Sequence, residues 1–571
     1  MALLVDVTFQ KSWSNSTNRS YEFRALNKIH VCNNKIDHYN RPVACRSFKP
    51  SKDKQKNYVA ASESAPLLKS CVHNHLQAGK DTKFCKLQSE RLDLVNAARK
   101  LRVCATATSE TFTAYNRRKL PAVPKLSHRW REIQGGDDWK NLLDPLDPDL
   151  KAEMIKYGEF AQLCYDAFDN DSHSEYSGSC RVNPRKLLKA YGIWDEDYEI
   201  TKYLYATSNI CVPEFFHRSN LDHPWSKDSN WIGFVAVSTS KRELERLGRR
   251  DIVVAFRGTV THIDLLVDLK KSLCPSGLDP RSVGRSSQGD VRVETGFLSL
   301  YITNKTATRY NQHSAREQLL TEIQRLKELY KDEELSISLT GHSLGAALAL
   351  LSGYDLAESG LNIKPGKASC RCFNPSVSMS LQNNSEQDIF DRHKDVDDKI
   401  PITVFSFAGP RVGNNSFRDR INQLGVKVLR VVNVNDLVPK VPGLLLNEKF
   451  QFVRNWIDRI PWTYSHVGVE FAINNQHSHY LQSSFDPCCL HNLEAYLHLI
   501  DGYIGSGREF NCDMLSRDPA LVNKSSNFLK SDRRIPSFWR QDKDKGLVKD
   551  LNGMLKFPDR EPEDIPPYHQ C

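Results

Sequence analysis

Along Asp147–Phe168 the apolar residues Leu150, Met154, Tyr157, Phe160, Ala161 and Cys164 recur at helical spacing, and Asp149 stands where a helix cap is needed. Two strand-like runs follow, "NWIGFVAVS" at 230–238 and the stronger "RDIVVAFRGT" at 250–259. From Ser314 to Tyr330 the period is helical again. Ser314 and Glu317 have capping-box spacing, and Leu319, Ile323, Leu326 and Tyr330 share one face. A strand is then predicted at Leu335–Thr340, a helix at Leu344–Glu358, and strands at Ile402–Phe407 and Val426–Val434. "YSHVGVEF", around His466, is also strand-like, and Leu493–Tyr503 is helical. Strands alternating with helices build βαβ units, so the pattern predicts an α/β fold with a mostly parallel central sheet covered by helices on both faces.

The flanks read differently. The net charge of +10 suggests a polyanion partner until its distribution is counted: residues 1–104 hold 19 Lys and Arg against 8 Asp and Glu, and the rest holds 60 against 61. The body therefore gives no nucleic-acid signal, and no nucleic-acid partner is expected. The first residues are rich in hydroxyl and amide side chains and lack a continuous apolar core, which suits an organelle transit peptide rather than a secretory signal. "LRVCATATSE", 101–110, has the small-residue character of a stromal processing site. The expected organisation is a transit peptide and disordered leader at 1–104, a linker at 105–129, a catalytic domain at 130–512 and a tail at 513–571 packed on it. No apolar run approaches the ~18 residues that span a bilayer, so the chain is expected to be soluble or peripheral to a membrane. The 15 cysteines include the close pairs Cys370/Cys372 and Cys488/Cys489, but neither spacing matches a zinc or redox motif.

Candidate chemistry centres on "LTGHSLGAALAL", a Gly-x-Ser-x-Gly between a predicted strand and a predicted helix. In such a nucleophile elbow Ser343 sits on a sharp turn that side chains at Gly341 and Gly345 would obstruct. The following helix turns its N–H groups toward the reacting centre, so Leu344 can donate to an oxyanion. A serine nucleophile needs a base and an orienting acid. Asp436 follows the strand "VKVLRVVNV" and is the candidate acid. Six histidines come later: His466, His477, His479, His491, His498 and His569. Spacing favours His491 only modestly over His466 and reads His498 as a packing residue.

Together "VVAFRGTVT", "TGHSLGAALALLSGYDLA", "FSFAGPRVGN", "VVNVNDLVPKVPG" and "CCLHNLEAYLHLIDGY" resemble the class 3 lipases, and most of all the plant plastid-type phospholipase A1 and galactolipase group. The resemblance runs from about Trp130 into the tail. It implies an α/β-hydrolase fold with a lid after the oxyanion strand. Ser343 would be the nucleophile, Asp436 the triad acid and His491 the base, with Thr259 as second oxyanion donor beside Leu344. Arg257 and Gly258 would shape that turn. The lid would lie at Val260–Leu273, with Ile263, Leu266 and Val267 on its apolar face. This stretch departs from the group, because Asp264-Leu265 stands where relatives commonly carry Glu-Trp; Ala346 likewise replaces a common glycine. The implied activity is hydrolysis, at sn-1, of phospholipids or galactolipids, supplying fatty acid for oxylipin and jasmonate synthesis. The protein would meet membrane glycerolipid peripherally in the chloroplast, in the stroma, at the thylakoid surface or at plastoglobules. No metal or cofactor is expected, and nothing sets an oligomeric state. Two rivals remain at this point, a lipase-like signalling scaffold without hydrolysis and a soluble esterase without interfacial activity.

Overall fold

The computed structural model describes residues 126–208, 219–221, 224–259, 272–279, 291–364, 399–442, 463–484, 486–512, 515–541 and 546–567. All lie within one unit, Glu90–Cys571. Seven strands make the main sheet: β1 (Tyr198–Ala206), β2 (Asn230–Ser238), β3 (Arg250–Phe256), β4 (Leu335–His342), β5 (Ile402–Phe407), β6 (Lys427–Asn433) and β7 (Val469–Ile473). They lie side by side in chain order. β1, β2 and β3 pair antiparallel, while β3 to β7 are all parallel. The parallel strands β3 to β6 are buried almost throughout, as a sheet covered on both faces requires, while the edge strand β7 buries only Phe471 and Ile473. This is the α/β-hydrolase arrangement.

One face is covered by α1 (Pro148–Asp166), and the other by α2 (Thr295–Ile302), α3 (Ala315–Leu329), α4 (Leu344–Glu358) and α5 (Asn415–Leu424). The last helix, α6 (Leu493–Gly502), returns to the α1 side. There Tyr157 stacks on Phe405 of β5 with ring centroids 4.4 Å apart. The α3 capping box forms as the sequence predicts. Asp149 does not cap α1. Asp147 does, accepting from the N–H groups of Asp149 and Leu150, because Pro148 takes the first helical position and needs no donor partner.

The ordered body starts before Trp130: Leu126 is buried in the core, and Arg129 binds Asp147 and Asp149 at 3.0 and 3.2 Å. The run around His466 is divided into a short strand, Tyr464–Ser465, and β7. The antiparallel pair β1–β2 extends the parallel sheet at one edge, and β1 had no counterpart in the sequence reading. The tail is fastened by cations. Arg517, its side chain 11% exposed, bridges Glu159 of α1 and Glu494 of α6. Lys524 bridges Asp166 of α1 and Glu494 at 2.8 and 2.6 Å. Arg540 meets Asp166 as well, and Arg560 meets Asp169.

Candidate active site

The carboxyl ends of parallel strands are where an open α/β sheet gathers its sites. β4 ends in His342, and Ser343 follows at φ 60° and ψ −126°. That strained conformation costs about 1–3 kcal/mol. It is held because Ser343 N–H donates to Phe407 O at 2.9 Å and α4 begins at once. The two elbow glycines are required by contact. A Cβ on Gly341 would lie 2.3 Å from the Gly345 carbonyl carbon, and one on Gly345 would lie 2.5 Å from Phe256 O. Ala346 is tolerated because Gly409, in "GPRVGN", leaves space against its Cβ. Ser343 is fully buried and its Oγ has no hydrogen-bond partner among the described residues.

Asp436 lies beyond the end of β6. Its Oδ1 accepts from Val438 N–H at 2.9 Å. Its Oδ2 accepts twice, from Tyr496 OH at 2.7 Å and from His491 Nδ1 at 2.6 Å. An ionised carboxylate only accepts, so the proton sits on Nδ1 and the Nε2 lone pair is left for base chemistry. His491 and Asp436 side chains are 1% and 2% exposed, a dry setting in which the charge-assisted bond is strong. The turn carrying His491 is tied to β6 because Asn433 Nδ2 donates to Leu490 O at 3.1 Å. The His491 ring lies 4.5 Å, centroid to centroid, from His342, the neighbour of Ser343.

The other histidines go elsewhere. His466 accepts from Arg430 at 3.0 Å; burial, then Arg430 and Arg411, push its imidazole down to about 2. His498 meets Ser478 Oγ at 2.8 Å, and burial with Arg517 holds it down at about 3. His477 and His479 are exposed, and His569 lies outside the described residues.

After β3 comes the turn Arg257-Gly258-Thr259. Arg257 is fully buried, with its guanidinium 3.8 Å from the Phe168 ring and Nη1 donating to Gly258 O at 2.8 Å. Burial lowers its proton affinity to about 10, still far above neutrality. In a trans peptide the C=O and N–H point opposite ways, so fixing the Gly258 carbonyl on Arg257 turns Thr259 N–H away from it. Thr259 is buried and its Oγ1 has no hydrogen-bond partner among the described residues, leaving a second donor at the same place. Leu344 N–H is the first of α4, where no carbonyl of the helix reaches it.

Two side chains of the site carried no sequence signal. Tyr496 bonds to Asp436 and takes Asn433 N–H at 3.0 Å; burial, then Asp436, raise its phenol well above the usual value, so it stays a donor. Tyr165, on the last turn of α1, bonds to His342 Nδ1 at 2.9 Å. Ile263, Leu266 and Val267, expected to form a lid, lie outside the described residues.

The profile of the family described as Lipase (class 3) matches residues 253–446. Phospholipase A1-Igamma3, chloroplastic, of Arabidopsis thaliana is 47% identical over 454 residues, which are 76% of this chain and 79% of that protein. The chain belongs to the class 3 lipases. Within them it falls in the plant phospholipase A1 and galactolipase group: Galactolipase DONGLE, chloroplastic, of Arabidopsis thaliana is 42% identical over 391 residues, 67% of this chain and 72% of that one. Among solved structures, Lip2 lipase from Yarrowia lipolytica is 18% identical with a TM-score of 0.33, covering 58% of this chain and 80% of its own. That overlay is too loose to add to the strand order.

Tight packing makes this lipase sensitive at Gly258. A Cβ there would sit 2.1 Å from Tyr165 OH, 2.5 Å from His342 O and 3.2 Å from Ser343 Cβ. Gly258→Ala must therefore push the Arg257–Thr259 turn away from the elbow. A misplacement of this order lowers kcat/KM about 100-fold. Steady-state kinetics check it, and activity within twofold of the unaltered protein would show that the turn has room.

Proposed function

We propose that this class 3 lipase is a serine acyl hydrolase that cleaves the sn-1 ester of plastid membrane glycerolipids, phospholipid or galactolipid, and releases free fatty acid that can feed oxylipin synthesis. The reading rests on one observation, the 2.6 Å bond of Asp436 to His491 at the sheet end where Ser343 tops its elbow. The relatives' printed names, phospholipase A1 and galactolipase, support the substrate class. Their designation as chloroplastic and the basic composition of residues 1–104 support a plastid location.

In this mechanism His491 Nε2 takes the Ser343 proton as Oγ attacks the ester carbonyl, and Asp436 stabilises the imidazolium that forms. Leu344 N–H, Thr259 N–H and Thr259 Oγ1 receive the developing oxyanion. Collapse of the tetrahedral species breaks the acyl C–O bond, and His491 protonates the departing lyso-lipid oxygen. Water then attacks the acyl-serine, giving its proton to His491, and the acid leaves as Ser343 recovers its hydrogen.

The test is the product profile on bilayers of galactolipid and phospholipid labelled separately at sn-1 and sn-2. Labelled acid from sn-1 with the matching lyso-lipid is expected. Turnover of short-chain soluble esters with no rate on bilayers would identify a soluble esterase instead. Absence of turnover on both, with no fluorophosphonate labelling, would identify a scaffold without hydrolysis.

A further inference from the structure

One phenol sits where two parts of the site meet. Tyr165, on the last turn of α1, reaches both the elbow and the Arg257–Thr259 turn. On the elbow side its OH is 2.9 Å from His342 Nδ1 and 3.5 Å from His342 O. On the other side Gly258 N–H donates to it. The point where a Gly258 Cβ would stand is 2.1 Å from this oxygen and 3.2 Å from Ser343 Cβ, so phenol, turn and nucleophile crowd one spot.

The hydrogens of this contact can be placed. A phenolic hydroxyl has one hydrogen to donate and lone pairs to accept with. Gly258 N–H uses a lone pair, so the phenol's own hydrogen goes to His342. The 2.9 Å approach to Nδ1 makes a good bond, and the 3.5 Å approach to the carbonyl does not. Nδ1 is therefore an acceptor, and the uncharged imidazole carries its hydrogen on Nε2. Burial raises the proton affinity of the phenol, against the pull of Arg257 and Gly258 N–H, so it stays a donor.

Both partners bear on the reaction proposed above. Gly258 is held at its two backbone polar groups, the N–H by Tyr165 and the carbonyl by Arg257 Nη1 at 2.8 Å. The next N–H, that of Thr259, is thereby given a fixed direction. On the elbow side the His342 ring meets three others. Tyr165 and Tyr496 approach it edge-on with centroids 5.7 and 6.2 Å away, and His491 lies at 4.5 Å. His491 becomes a cation during turnover, and a second cation on His342 would oppose it. A hydrogen bond donated to Nδ1 favours the uncharged ring.

We propose that Tyr165 is a positioning residue for acyl transfer, whose one hydroxyl sets the Arg257–Thr259 turn against the elbow and keeps His342 uncharged beside His491. This rests on the serine-hydrolase reading but not on which lipid is cut. The test is Tyr165→Phe, assayed for kcat and KM on a soluble short-chain ester and for inhibition by a trifluoromethyl ketone, which adds a serine hydroxyl to give a tetrahedral oxyanion. The phenol's effect is felt as that oxyanion forms, so kcat should fall about tenfold while KM stays within about twofold. The inhibition constant of the ketone should rise by about the same tenfold. Phenylalanine keeps the ring and its packing on His342, so the variant folds, and a cooperative thermal transition checks this. Tyr191→Phe is the control. Its phenol is also partly buried and bonds to Asp166 O at 2.9 Å, one residue along α1, and its loss should leave kcat and ketone inhibition within about twofold.

Unchanged kcat and ketone inhibition in Tyr165→Phe would overturn the proposal. So would a change in KM alone, or equal losses in both variants, which would make the phenol a packing group. An unaltered protein that cleaves no ester and takes no fluorophosphonate label would sink the hydrolase reading itself, and this proposal with it.

Discussion

Ser343→Ala lowers hydrolysis of every ester the protein accepts by about 10⁵-fold and abolishes labelling by a fluorophosphonate probe. The fold should not suffer. The substitution keeps Cβ, so the strain at φ 60° is unchanged, and Oγ contributes no hydrogen bond to the described structure. The thermal transition should stay within a few degrees while activity disappears. A residual rate within tenfold of the unaltered protein, or labelling that survives, would mean that another nucleophile does the work.

Asp436→Asn should cost about 10⁴-fold in kcat through a different route. Asparagine can keep an oxygen at the Oδ1 position toward Val438 N–H, but its NH₂ then replaces the Oδ2 that Tyr496 OH and His491 Nδ1 share. What it cannot offer is a second acceptor for His491 Nδ1–H. Its amide NH₂ would face that nitrogen as a donor, forcing the imidazole proton to Nε2 and removing the base. The fluorophosphonate labelling rate should slow in parallel with kcat, because both need the same deprotonation. If kcat stays within tenfold, Asp436 is only an anchor for its loop and for Tyr496.

How much of this could be read from the chain depended on how local each feature is. The elbow was legible because Gly341, Ser343 and Gly345 are tied to one another by backbone contacts a few ångströms long. The strands and helices of the parallel sheet were legible because each carries its own apolar period. The choice between His491 and His466 was not open to spacing: what separates them is a through-space partner, Asp436 for one and Arg430 for the other. Tyr496 and Tyr165 were hidden for the same reason, since nothing in their helices distinguishes a phenol that meets a carboxylate or an imidazole from one that merely packs. The tail defeated periodicity because its core residues Val522, Phe528 and Leu529 follow no regular period, and ion pairs of Arg517, Lys524 and Arg560 fasten it besides. The cap of α1 was misread by two residues because Pro148 shifts the first turn.

The tail's attachment also sets an order of events. Glu159 and Asp166 on α1 and Glu494 on α6 receive their cations from Arg517 and Lys524, and Asn492, beside His491, is held by Val522 O and Ser526 Oγ at 3.0 and 2.9 Å. A chain still emerging from the ribosome possesses Ser343, Asp436 and His491 before it possesses any of these clamps. Until the tail arrives, Glu159, Asp166 and Glu494 lack these counter-charges, and the histidine turn lacks its brace. The brace on the histidine turn is therefore made after the residues it steadies, by contacts that reach back some thirty positions along the chain.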